Sequence, residues 1–119
     1  MRILLLEDED ITREIYKRNL KPHEVHAFDN GFSGLRFFHQ NENNLDLILS
    51  DHMMPMLNGL DLFWEVRKKN QSIPFLLLTG SPLFGELQEF QKYGGTLVTK
   101  PIGLSRLCNL VNSYDPITK

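Results

Sequence analysis

Short apolar runs alternate with longer amphipathic segments along the whole chain. The runs are typical of buried strands and lie at 3–6, 24–28, 45–50, 75–78 and 96–99. The other segments predict helices over about 10–20, from the turn at 29–31 to 40, over 59–69, over 82–93 and over 104–111. In the first helix we expect Asp10 as the N-cap, with Ile11 and Ile15 on one face.

The strict alternation of strands and helices indicates right-handed crossovers and a parallel sheet. Continuous apolar strands are expected where helices cover both faces of such a sheet. The predicted fold is therefore a doubly wound α/β domain whose five-stranded parallel sheet has the flavodoxin-like order 2-1-3-4-5. A length of 119 residues suits one domain over 1–119, with 113–119 as a tail or the start of a linker.

Polar residues follow the predicted strands, at the edge where such sheets bind ligands. They are Glu7 and Asp8 after strand 1, Asp51 after strand 3, Thr79 after strand 4 and Lys100 after strand 5. Clustered carboxylates repel one another unless a positive charge lies among them, and Mg²⁺ prefers oxygen ligands. A metal, an ammonium group and a hydroxyl around a carboxylate would suit a phosphoryl group. Asp51, alone at its strand end, is best placed as the nucleophile.

The acidic run 7–10 has a simpler interpretation as a solvated turn that favours a helix N-terminus. Asp51 and Lys100 at neighbouring strand ends favour the site instead. They also sharpen one expectation about stability. Since the clustered carboxylates repel one another in the absence of metal, Asp51→Asn should raise the melting temperature of the metal-free protein.

Several short motifs occur in a fixed order along the chain. They are LEDE at 6–9, DLILSDHMMP at 46–55, NG at 58–59, LTG at 78–80 and KP at 100–101. Together they resemble the receiver domain of bacterial two-component response regulators, of the kind found in chemotaxis receivers. The resemblance covers essentially the whole chain.

The resemblance implies a metal-dependent phospho-acceptor. Asp51 would accept the phosphoryl group, and Asp8, Asp51 and the backbone carbonyl of Met53 would ligate Mg²⁺ directly. Glu7 would hold the ion through water.

It also implies how the phosphoryl group arrives and is held. Lys100 would pair with the carboxylate and then with the phosphoryl oxygens, and Thr79 would hydrogen-bond the group after transfer. The donor would be a phosphohistidine on a histidine kinase or phosphotransfer protein. The domain would catalyse its own phosphorylation and dephosphorylation at most, and would not be a metabolic enzyme.

Three positions bear on the output and lifetime of the phosphorylated state. Leu97 stands where the family commonly has an aromatic switch residue, so an aromatic readout is in doubt. Met53 and Ser81 would flank the path of the hydrolytic water. Since neither is an acid or amide, we expect slow to moderate hydrolysis.

We expect a partner surface near the fourth helix. Phe84 and Tyr93 are predicted to form an exposed patch beside Leu97. In receivers, the face of helix 4, strand 5 and helix 5 commonly carries dimer or partner contacts. A downstream protein or output domain would be the partner here.

Charge and composition exclude several other classes of protein. A formal charge of −2 argues against direct nucleic-acid binding, and the run Arg67-Lys68-Lys69 is read as a solvated helix end.

The lone Cys108 allows no internal disulfide and is expected to be buried. His23 is expected at the surface. No run suits a signal peptide or membrane span, so we expect a cytoplasmic protein without membrane contact.

Two other functions stay open. A phosphorylation-independent pseudo-receiver would bind partners through the same fold, although it would need a broken site. A phosphatase of the haloacid-dehalogenase type would share the aspartyl-phosphate chemistry, but it predicts a D-x-D pair after strand 1 and a cap domain. Whether the receiver acts alone or within a longer chain also stays open.

Overall fold

The computed structural model describes residues 1–80 and 85–116. The strands are β1 (Arg2–Leu6), β2 (Glu24–Phe28), β3 (Leu47–Asp51), β4 (Phe75–Thr79) and β5 (Gly95–Thr99). The helices are α1 (Asp10–Asn19), α2 (Gly31–Gln40), α3 (Gly59–Arg67), α4 (Leu87–Lys92) and α5 (Leu104–Asn112). All strands pair in parallel in the order β2-β1-β3-β4-β5, which confirms the predicted fold.

Two apolar clusters cover the two faces of the sheet. Because side chains alternate along a strand, Leu4 and Leu6 of β1 enter one cluster, and Ile3 and Leu5 enter the other. The first cluster takes buried side chains from α2, α3 and α4, namely Phe38, Phe63, Val66 and Phe90. The second takes Leu107 and Val111 from α5. This double cover explains the uninterrupted apolar strands.

Helix α1 differs from its prediction. Its N-cap is Glu9, and Asp10 is already helical and pairs with Arg13 at 2.6 Å. The residues Ile11 and Ile15 do share a face, but they are 73% and 43% exposed. The periodicity of apolar residues identifies a stripe on one face of a helix. It does not show whether that face packs against the protein or faces solvent.

Two residues expected at the surface are buried. His23 Nε2 lies 2.6 Å from Asn112 Oδ1, so the ring joins the start of β2 to the end of α5. Arg67, read as part of a solvated helix end, is 93% buried, since its exposed fraction is 7%. Cys108, expected to be buried, is only partly buried. No helix among the described residues is long and apolar enough to cross a membrane.

Candidate functional site

Three carboxylates meet at the carboxyl edge of the sheet. Leu6 of β1 pairs with Ser50 of β3, so the next residues, Glu7 and Asp51, reach the edge side by side. Glu7, Asp8 and Asp51 each offer a carboxylate oxygen within 4.8 Å of the others. Glu7 and Asp51 are buried, whereas Asp8 is exposed. The predicted acidic cluster is therefore present.

The loop after β1 is held by hydrogen bonds to its main chain. The Glu7 N–H donates to the Phe28 carbonyl at 3.0 Å, and the Glu9 N–H donates to Glu7 Oε2 at 3.0 Å. Arg13 Nη1 donates to the Glu7 carbonyl at 2.9 Å, while its Nη2 contacts Asp10. Arg13 thus fastens α1 to the acidic loop. Our reading of the sequence missed this role, although its spacing of three residues from Asp10 is a recognisable helix ion pair.

Lys100 brings a positive charge into the cluster. Its Nζ lies 3.0 Å from Asp51 Oδ1 and 3.9 Å from Glu7 Oε1. The Lys100 N–H donates to the Thr79 carbonyl at 2.9 Å, so the ends of β4 and β5 are aligned. Burial lowers the pKa of Lys100, but the hydrogen bond to Asp51 and the two carboxylate charges outweigh it and raise that pKa. Lys100 is therefore held in its positively charged form.

The surroundings favour a proton on Glu7. Burial, with a smaller contribution from the Asp51 charge, raises the pKa of Glu7 to about 7, against the opposing Glu9 N–H and Lys100 ammonium. Burial also raises the pKa of Tyr16, a residue of α1 that interacts electrostatically with Lys100 and Glu7. Sequence reasoning missed Tyr16, because nothing in its spacing indicates that it faces the acidic edge.

The loop after Asp51 depends on a glycine. The His52 N–H donates to the Leu78 carbonyl at 2.9 Å, and the Gly59 N–H donates to the His52 carbonyl at 2.9 Å. A Cβ at Gly59 would lie 2.5 Å from the Asp51 carbonyl oxygen, so only glycine fits without movement. Asn58 caps α3 by accepting a hydrogen bond from the Asp61 N–H at 2.8 Å. The NG motif therefore fixes both the loop and the helix start.

The remaining predicted residues lie in different surroundings. Thr79 is buried at the end of β4, and the side chain of Met53 is 65% exposed. Leu97 is partly buried against the first apolar cluster. The Tyr93 ring packs edge-on against Trp64, with 5.5 Å between centroids. Ser81 and Phe84 lie outside the described residues.

The family of this chain follows from its match to a protein-family model. The model of the response regulator receiver domain matches residues 3–112. The chain is a member of the response regulator receiver family. The chain also spans only a third to a half of the length of several curated relatives.

Those relatives carry the names of transcriptional regulatory proteins, in one case a probable one. This receiver is 33% identical over 110 residues to the transcriptional regulatory protein RprY of Bacteroides fragilis, covering 90% of this chain and 46% of RprY. It is 39% identical over 85 residues to a probable transcriptional regulatory protein of Picosynechococcus, covering 66% of this chain and 34% of that protein.

Solved receivers have the same fold. The HemR receiver domain of Leptospira biflexa gives a TM-score of 0.87 at 26% identity, over 99% of this chain and 96% of that one. A receiver domain from Clostridium thermocellum gives 0.82 at 28% identity, over 95% and 92%. The receiver of the Pseudomonas aeruginosa histidine kinase PA1611, at 24% identity and 0.75 over 95% of each chain, was solved with magnesium in its active-site cleft.

Proposed function

We propose that this receiver is a phospho-acceptor switch in which Asp51 takes a phosphoryl group from a histidine kinase or phosphotransfer protein. The observation that carries the proposal is the pairing of buried Asp51 with Lys100 at 3.0 Å, inside a cluster of three carboxylates. An ammonium group that already pairs with the buried acceptor carboxylate can move its contact to the phosphoryl oxygens once they arrive. The family membership supports the same chemistry.

The transfer step uses an oxygen of Asp51 as the nucleophile. This oxygen attacks the phosphorus of a phosphohistidine, a P–O bond forms, and the P–N bond breaks with its electron pair going to the imidazole nitrogen. Lys100 then pairs with a phosphoryl oxygen, which it can reach because its ammonium group already contacts Asp51. The Thr79 hydroxyl, at the neighbouring strand end, donates a hydrogen bond to the transferred group.

The residues at this edge suit Mg²⁺. Three carboxylate oxygens within 4.8 Å of one another form a hard oxygen set, which is the kind that Mg²⁺ prefers. Asp8, Asp51 and the Met53 carbonyl would hold the ion directly, and Glu7 through water. When bound, the ion neutralises charge on the phosphoryl oxygens. The magnesium in the PA1611 receiver is consistent with this assignment.

The signal would leave through the face formed by α4, β5 and α5. Leu97 lies in β5 beside the core, and Tyr93 ends α4 with 48% of its surface exposed. We propose that these residues, with Phe84, form part of a surface for a second receiver, a downstream protein or an output domain. Curated relatives about twice as long are consistent with an output domain on such proteins.

The lifetime of the phosphorylated state depends on residues near the attacking water. Met53 has an exposed thioether side chain, which orients water poorly. We propose that Met53 and Ser81 set a slow to moderate hydrolysis rate. Met53→Asn should speed the loss of phosphate, because an amide can position water. An unchanged rate in both Met53→Asn and Ser81→Ala would refute this role.

Localising the acyl phosphate tests the proposed acceptor. The receiver would be incubated with Mg²⁺ and phosphoramidate, reduced with borohydride and digested, and the reduced residue would be sequenced. We expect reduction at Asp51, with none in an Asp51→Asn protein treated alike. Reduction at Asp8 or Glu7 in place of Asp51 would overturn the assignment.

A further inference from the structure

A groove lies between the C-terminal ends of α3 and α4, away from the acidic edge. Its volume is about 330 Å³, and it shares no lining residue with the acidic cluster. The lining consists of Trp64, Arg67, Lys68, Gln71 and Tyr93. A volume near 300 Å³ is at the small end of ligand pockets and holds one ring with a short substituent.

Arg67 contributes a largely buried positive charge to the lining of this groove. Its Nε donates to the Tyr93 carbonyl at 2.7 Å, and its Nη1 donates to the Asn70 carbonyl at 3.2 Å. Its guanidinium carbon lies 4.7 Å from the Phe63 ring centroid. Within residues 1–80 and 85–116, Nη2 has no hydrogen-bond acceptor and Arg67 has no carboxylate partner. The two hydrogen bonds use two of the five guanidinium N–H groups, and no buried side-chain nitrogen of the described residues lacks a partner, so Nη2 is open to solvent at the groove and can donate to an anion.

Two aromatic rings form a wall of the groove. Trp64 and Tyr93 meet edge to face, with 5.5 Å between centroids and 75° between planes. Trp64 is fixed from behind by Phe63, whose centroid lies 4.9 Å away. Because rings prefer offset or edge-on contacts and both rings line the groove, a third planar ring can pack beside this pair, with the Lys92 ammonium 5.9 Å from the Tyr93 centroid.

The charged residues that line the groove are both positive. Arg67 and Lys68 are both cationic, and none of the described lining residues carries a carboxylate. Lys68 Nζ contacts Glu65 at 2.5 Å, but this pair lies at the surface, where such bonds are weak and easily exchanged. The groove therefore presents aromatic surface beside the charge of Arg67, which has no carboxylate partner among the described residues, and beside a Lys68 whose pairing with Glu65 is exposed.

We propose that this groove binds a small aromatic carboxylate. The ring would pack against Trp64 and Tyr93, and the carboxylate would accept from Arg67 Nη2 and from Lys68. The proposal does not depend on phosphorylation of Asp51. It makes the α3–α4 groove an input site on a domain whose acidic edge receives the phosphoryl group.

Trp64 makes the test direct, because it is the only tryptophan in the chain. The probes are phenylacetate and its neutral isostere phenylacetamide, neither of which absorbs where tryptophan is excited selectively. We expect phenylacetate to change Trp64 fluorescence saturably, and phenylacetamide to bind about tenfold more weakly because it lacks the charge. Equal binding of the two probes, or a linear unsaturable response, would overturn the proposal.

Matched variants separate the groove from general surface charge. Lys68→Gln should weaken phenylacetate binding by about threefold, whereas Lys69→Gln, the same change one position beyond the lining, should leave it unchanged. Tyr93→Ala should remove most binding. Backbone amide NMR shifts should centre on the ends of α3 and α4. Equal losses in Lys68→Gln and Lys69→Gln, or shifts centred on Asp51, would contradict the site.

Discussion

Lys100 and Arg67 are two buried or half-buried cations that have opposite kinds of partner. Lys100 contacts the carboxylates of Asp51 and Glu7 at 3.0 and 3.9 Å. Arg67 instead donates to the neutral carbonyls of Tyr93 and Asn70 and lies over a Phe63 ring. The partners determine the direction of each pKa. Burial is outweighed at Lys100, whose pKa is raised, and is unopposed at Arg67, whose pKa is lowered.

The contrast shows that the partners of a buried cation indicate which kind of ion its surroundings favour. At the acidic edge Lys100 neutralises carboxylates and leaves an excess of negative charge, which favours a metal ion. At the groove Arg67 holds two main-chain segments together and leaves an excess of positive charge, which favours an anion. The two regions are therefore expected to respond differently to the same added ion.

The largest effect is expected at Arg67. Arg67→Met keeps an unbranched apolar stem but leaves the Tyr93 and Asn70 carbonyls without their donors. The free energy of unfolding should fall by about 3 kcal/mol. Urea denaturation measures this, and Lys69→Met, at an exposed neighbour, should change it little. If Mg²⁺ restored the stability of the Arg67→Met protein, Arg67 would behave as Lys100 is expected to, and the proposed difference between the two cations would be wrong.

Lys100→Met should cost less and should respond to metal. Without the ammonium group, Asp51 and Glu7 face each other unpaired, but Lys100 is one-third exposed and the carboxylates can take up a proton. The metal-free free energy of unfolding should fall by about 1 kcal/mol. Mg²⁺ should restore most of this loss, as measured by thermal melting with and without EDTA. A loss that Mg²⁺ leaves unchanged would argue against a metal site among these carboxylates.

The acidic edge should also make metal-free stability depend on pH. Glu7 has an ordinary pKa of 4.5 when unfolded and about 7 when folded, mainly because of burial. Between these values the folded state binds more protons, so stability falls as pH rises from about 4.5 to 7. The fall should be on the order of 1 kcal/mol in EDTA. Glu7→Gln should flatten this part of the profile, and an equally steep profile would exclude Glu7 as its source.

The smallest effect is expected for Asp51→Asn without metal. The change removes one of three mutually repelling carboxylates but also weakens the contact with Lys100 at 3.0 Å. Above the Glu7 pKa of about 7, where Glu7 is also charged, three negative charges exceed one positive charge, so we expect a net gain of about 0.5 kcal/mol and a slightly higher melting temperature. Asp61→Asn, an exposed acid at the start of α3, is the matched control. An unchanged or lower melting temperature would show that the Lys100 contact dominates over repulsion.

The acidic edge was predictable because parallel strands deliver their last residues to one place. Asp51 and Lys100 are 49 positions apart in the sequence, yet strand order alone placed them together, and they lie 3.0 Å apart. The roles assigned to them and to Thr79 and Asp8 stay predictions until phosphoryl transfer and metal binding are measured.

The groove was not predictable in the same way. Arg67 belongs to a basic run at a helix end, which usually faces solvent. Its burial depends on the Tyr93 carbonyl, 26 positions away, and no local pattern encodes a main-chain acceptor on another element. The exposed face of Ile11 and Ile15 has a related cause. Periodicity identifies an apolar stripe, but tertiary packing decides whether that stripe is covered.

Intact mass spectrometry detects directly whether Asp51 takes up a phosphoryl group. The receiver would be incubated with Mg²⁺ and phosphoramidate beside Asp51→Asn and Asp61→Asn proteins. We predict one added phosphoryl group in the unmodified and Asp61→Asn proteins, and none in Asp51→Asn or when EDTA replaces Mg²⁺. No addition to the unmodified protein, under conditions where another receiver reacts, would contradict the account and favour a phosphorylation-independent binding module.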